Sequence, residues 1–144
     1  MIISIFMNKN KIQIIFFLLL VTVLFAQDAK DREAQKLFIK IEEGLNSGSI
    51  DKFSGYFNNR SYLSLLNGTS GYFSSNQSYY VIKDFLSVYK PISFKFTNIV
   101  IDTGNPFAAG TLKFNNNGIR GTAAVFITLT NINDEWRLSQ ITIN

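Results

Sequence analysis

Residues 81–96 read VIKDFLSVYKPISFKF, and the change of period inside them decides the fold. Ile82, Phe85, Leu86 and Tyr89 recur at helical spacing, which gives one apolar stripe on a helix. Beyond them Ile92, Phe94 and Phe96 alternate with Ser93, Lys95 and Thr97, the period of a strand buried on one face. Pro91 separates the two halves, because it lacks the N–H that another helical turn would need.

Upstream of this boundary the period stays helical. Ala34, Leu37, Phe38, Ile41 and Leu45 form one stripe, so residues 32–47 are expected as an amphipathic helix, with Gly48 as its stop. Ser49 is expected to cap a short second helix in which Asp51 faces the N-terminal dipole and Ile50, Phe53 and Phe57 share a face. Residues 60–75, RSYLSLLNGTSGYFSS, contain the turn dipeptide Asn67-Gly68 between alternating segments and read as a small hairpin. Ser75 is then expected to cap the third helix.

Downstream the period is 2 to the end of the chain. The DTGNP stretch (102–106) turns the chain, Leu112 and Phe114 alternate with Thr111 and Lys113, and NNNG (115–118) turns it again. GTAAVFITLT (121–130) is a long strand, INDE (132–135) a turn, and WRLSQITIN the last strand. Helices first and four long antiparallel strands afterwards give an α+β class: about three helices on one face of a curved sheet, plus the short hairpin.

The front of the chain has another purpose. Asn-Lys-Asn-Lys (8–11), the apolar run IQIIFFLLLVTVLFA (12–26) and the polar QDAKDRE have the order of a secretory signal, with cleavage expected after Ala26 and residues 27–144 left as one domain. The apolar residues ahead of the charges suggest Met7 as the true start. The run is short of the roughly 20 apolar residues a membrane helix needs, so no stable anchor is expected after cleavage. The product is expected in the periplasm or outside the cell.

Composition narrows the functions. The chain has no Cys and no His, so a hydrophobic core must hold it without disulfides, and no metal or cofactor is expected. The formal charge of +4 falls to +2 once Lys9 and Lys11 leave with the signal. The remaining Lys and Arg are spread from Lys30 to Arg137 along the sequence, unlike the basic face that nucleic acids select. The triplets starting at Asn59, Asn67 and Asn76 match a glycosylation pattern and are read as polar surface.

The order of elements resembles the cone-shaped, cystatin-like fold of the nuclear transport factor 2-like superfamily. LNSGSIDKFSGYF (45–57), VIKDFLSVYKPISFKF (81–96) and WRLSQITI (136–143) further resemble a family of small exported Bacteroidota proteins classed as a domain of unknown function within it. The resemblance covers nearly all of residues 27–144 and implies architecture and export, with no catalytic residues to carry over.

Enzymes on this fold, such as ketosteroid isomerases and polyketide cyclases, use a carboxylate or histidine base and a hydrogen-bond donor in the mouth of the cone. Without histidine, the base would be Asp102, before Gly104-Asn105-Pro106, or Glu42, beside the first helix's stripe, with Tyr56 as donor. The competing reading makes Asp102 a turn residue bonded to its own backbone. No carboxylate falls inside an expected strand.

Aromatic residues are abundant: fourteen Phe, six Tyr and one Trp. Tyr56, Phe57, Phe85, Tyr89, Phe94, Phe96, Phe114 and Trp136 either line an apolar small-molecule cavity or fill the core. Thr122, Ala124 and Thr128 would leave a flat sheet face suited to a homodimer. The expectation is an exported, non-catalytic domain that binds a protein partner or a small apolar ligand, with a cone-pocket isomerase or cyclase as the alternative.

Overall fold

The computed structural model describes residues 9–144; the start at Met7 and the first residue of the basic stretch, Asn8, lie outside them. The chain divides into two units between Arg32 and Glu33. Helix α1 (Lys9–Ser47) runs through both, well beyond the expected 32–47. Residues 9–43 contain neither Gly nor Pro, and Asp28 pairs with Arg32 at 2.7 Å one turn on, so nothing interrupts the helix. In the first unit the Ile, Leu and Phe side chains between Ile12 and Phe25 are 46–70% exposed. By length and composition α1 could cross a membrane, a test that signal sequences also pass.

The second unit holds the whole core, whose buried residues run from Ala34 to Ile143. The stripe of Ala34, Leu37, Phe38, Ile41 and Leu45 is buried. Gly48, with φ +69°, ends α1 as expected: the Ser49 N–H reaches back to the Gly44 carbonyl at 2.8 Å. Phe53 packs against Gly44 so closely that a Cβ there would lie 2.5 Å from its ring.

The expected second helix is two single 3₁₀ turns, Ile50–Lys52 and Ser54–Tyr56, and Ser49 makes no side-chain cap bond. The segment between Gly48 and Gly55 is too short to nucleate an α-helix. Ile50, Phe53 and Phe57 are buried, but Phe57 already belongs to β1 (Phe57–Ser64). Thus the described residues contain two α-helices where three were expected.

Strand β2 (Ser70–Phe73) completes the hairpin, and α2 (Ser75–Val88) follows. Its cap is Ser74, one residue earlier than expected. The Gln77 N–H donates to Ser74 Oγ at 3.2 Å, while the Ser74 N–H donates to Gln77 Oε1 at 2.9 Å. Ile82, Phe85 and Leu86 face the core.

The four long strands are β3 (Lys90–Val100), β4 (Phe107–Asn116), β5 (Ile119–Ile132) and β6 (Glu135–Ile143). Asn117-Gly118 and Asn133-Asp134 adopt positive φ in the two-residue turns between β4 and β5 and between β5 and β6. The hairpin does not stand apart: the strands form one six-stranded sheet in the order β2-β1-β6-β5-β4-β3. It is mixed, because β1 runs parallel to β6. Where their register shifts, buried Ser61 Oγ donates to the Leu138 carbonyl at 2.8 Å. Pro91 is tolerated because β3 is an edge strand.

Candidate functional site

The inner face of the sheet is set by alternation: Phe94 and Phe96 from β3, Leu112 and Phe114 from β4, Val125, Ile127 and Leu129 from β5 are buried against the helices. Among the expected cavity residues, Phe57, Phe85, Phe94, Phe96 and Phe114 are buried; Tyr56, Tyr89 and Trp136 are partly buried and packed on the same core. Their rings meet one another. Phe38, Phe96 and Phe94 form one chain, with centroids 5.7 and 4.9 Å apart. Phe85 stacks on Tyr89 at 4.6 Å, and Tyr89 meets Phe114 edge-on at 5.2 Å. Phe94 also lies across Gly110, and Phe114 across Gly121.

The three candidates for acid–base work have separate surroundings. Glu42, half-buried on α1, accepts the Phe96 N–H at 2.7 Å. Tyr56 accepts a hydrogen bond from Lys40 Nζ at 2.7 Å, and this contact holds the Lys40 ammonium above its ordinary pKa. Asp102 lies exposed in the loop after β3. Among the described residues no hydrogen bond joins any two of them, and no group of three or more Asp and Glu is placed to hold a metal ion.

Surface clefts among the described residues include one of about 360 Å³ beside the start of α2, lined by Asn58, Asn59, Ser75, Asn133 and Glu135. Arg137 also lines it, held by Glu135 and by the Gly55 carbonyl at 3.0 Å. The other face of the sheet carries Phe107 and Phe126, 42% and 48% exposed, among Ala109, Thr111, Ala124 and Thr128. Sequence reading named Thr122, Ala124 and Thr128 on this face and missed the two Phe residues, which alternation alone assigns to the face opposite Ala108 and Val125.

The sequence profile of the family described as a domain of unknown function, DUF4783, matches residues 38–144. The chain belongs to that family. A DUF4783 protein of Bacteroides ovatus is 20% identical to it, with a TM-score of 0.64 over 72% of this chain and 90% of that one. A Bacteroides uniformis DUF4783 protein is 18% identical, with a TM-score of 0.66 over 73% and 93%. A nuclear transport factor 2-like protein of unknown function from Shewanella oneidensis is 16% identical, with a TM-score of 0.56 over 78% and 96%. The α+β, nuclear transport factor 2-like architecture expected from the sequence is therefore present, and at these identities the likeness concerns fold alone. A search of curated proteins finds no match.

Proposed function

We propose that this DUF4783 chain is an exported, non-catalytic domain that acts through its surface, with the outer face of the sheet as the meeting surface and a second copy of the chain as its first partner. The observation that carries this reading is the mutual packing of the rings that would otherwise line a cavity. A pocket enzyme needs a base and a donor converging on one hollow. Here Glu42 is bonded to the β3 backbone and Tyr56 to Lys40, which favours the surface reading.

On the outer face Phe107 and Phe126 are diagonal neighbours, since Phe107 lies opposite Thr128 and Ala109 opposite Phe126. Two projecting rings among alanines and threonines offer both knobs and flat ground, so one patch can meet its own copy about a two-fold axis. Export is supported by the exposed apolar helix of residues 12–25, whose side chains find no cover within their own unit. We place cleavage after Ala26, and the released domain in the periplasm or outside the cell.

The test is sedimentation velocity on the exported form, its N-terminus read by mass spectrometry. The expected species is a dimer that Phe126→Glu converts to a folded monomer. A parent chain that sediments as a monomer at high micromolar concentration contradicts the dimer.

A further inference from the structure

Four cations that are far apart in sequence meet at one end of the sheet's outer face. Lys90 lies opposite Asn115, and Asn115 opposite Arg120; Lys113 lies between Ser93 and Thr122; Lys95 lies opposite Thr111. Lys113 is therefore a diagonal neighbour of both Lys95 and Arg120, a separation of about 7–8 Å between positions. All four side chains are exposed, and among the described residues none forms an ion pair. Strands β3, β4 and β5 contain no Asp or Glu to offset them.

Lys113 and Arg120 border a shallow depression of about 430 Å³ together with Ile92, Gly121 and Thr122. Two bare apolar side chains stand at this end of the sheet: Ile92, 50% exposed, beside Lys113 and Arg120, and Ile119, 75% exposed, at the tight turn of Asn117-Gly118 and on the sheet face opposite Arg120. Within the domain the like charges gain nothing from their closeness, and their joint field favours negative charge supplied from outside. Three of the four are lysines, flexible point charges and poor devices for bidentate recognition of a fixed carboxylate. An exposed isoleucine at the hairpin tip and another on the neighbouring strand, close to Lys113 and Arg120, suit a surface that accepts apolar side chains at its boundary and holds anions just above it.

We infer that this hairpin end docks on a bilayer containing anionic phospholipid. Ile119 and Ile92 enter the headgroup boundary while Lys90, Lys113 and Arg120 stay level with the phosphates and Lys95 adds positive charge farther along the strand. Each cation near such a surface contributes about fivefold in partitioning, an effect that salt weakens. The contact is peripheral and reversible, unlike a spanning helix. It does not rest on dimerisation, because Lys90, Lys113 and Arg120 lie toward the Asn117-Gly118 turn, whereas Phe107 and Phe126 lie toward the other end of the strands.

The test uses residues 27–144, which carry the entire core, mixed with vesicles of phosphatidylglycerol and phosphatidylethanolamine or of phosphatidylcholine alone. The protein is expected to co-sediment with the anionic vesicles at least tenfold better and to leave them in about 0.5 M salt. Lys113→Glu with Arg120→Glu should lower binding by more than twentyfold, and Ile119→Asp should lower it with all charges of the cluster retained. Phe126→Glu should keep the preference for anionic vesicles. If Lys113→Gln with Arg120→Gln, a milder pair that preserves folding, binds like the parent, the inference is overturned. Equal binding to both vesicle types, or to neither, overturns it too, and so does equally effective competition by soluble polyglutamate, which would point to an acidic protein partner.

Discussion

Glu42 and Phe96 are joined by a hydrogen bond of 2.7 Å from the strand's N–H to the helix's carboxylate, and one helical turn later Asn46 Oδ1 accepts the Phe94 N–H at 2.8 Å. The spacing explains the pair: four residues of helix rise about 6 Å, close to the roughly 6.6 Å that two strand residues cover. Strand β3 is a sheet edge, whose free N–H groups invite pairing with other chains, and α1 closes that edge with two side chains. The carboxylate singled out as a candidate base thus has a structural task. Glu42→Ala should cost about 1–3 kcal/mol in urea unfolding and speed hydrogen exchange at Phe96, while Glu42→Gln, which keeps an acceptor, should cost less than half as much. A Glu42→Ala protein as stable as the parent contradicts the edge account.

Gly110 and Gly121 exist for the rings that cross them. A Cβ on Gly110 would lie 2.6 Å from the Lys95 carbonyl oxygen and 2.9 Å from the Phe94 ring, so backbone must move. Gly110→Ala should therefore destabilise by about 1–3 kcal/mol. Gly104, with nothing within 4 Å of such a Cβ, should accept Ala within about 0.5 kcal/mol. Thermal melts of the two variants measure the contrast directly.

At the start of α2 the two adjacent serines differ in role. Ser74 holds the reciprocal bonds with Gln77, so Ser74→Ala should cost about 1 kcal/mol, and Ser75→Ala should be nearly neutral. Equal effects in chemical denaturation contradict this assignment.

Lys40 provides a pH signature. Its hydrogen bond to Tyr56 raises the ammonium's pKa above the ordinary 10.5. Any stability from the contact is therefore complete below that value and is lost only as pH rises through the higher folded value. Carbon-13 NMR of Lys40 should show its titration moving to lower pH in Tyr56→Phe; an unchanged midpoint contradicts the pairing.

Periodicity made much of this fold legible. The stripe from Ala34 to Leu45, the stop at Gly48 and the change of period at Pro91 are local patterns and appear where spacing places them, except that a register shift between Pro91 and Ser93 turns Ile92 out of the buried face of Phe94 and Phe96. The cap of α2 was expected at Ser75 and is Ser74; the missed signal was Gln77 three residues on, the spacing of a capping box. Pairing between distant segments was not legible. Nothing near Ser61 says that β1 runs parallel to β6, and Lys90, Lys95, Lys113 and Arg120 come together only once the register of three strands is set. The aromatic residues carried two readings because a core and a cavity wall draw on the same side chains; the distances between rings distinguish them.

Native mass spectrometry of the exported protein, purified from its own host, tests the central claim most directly. The account predicts masses equal to the polypeptide alone or to its dimer, with nothing retained, because the rings of Phe94, Phe96, Phe85 and Phe114 occupy the interior. A stoichiometric apolar molecule released only on unfolding would contradict it.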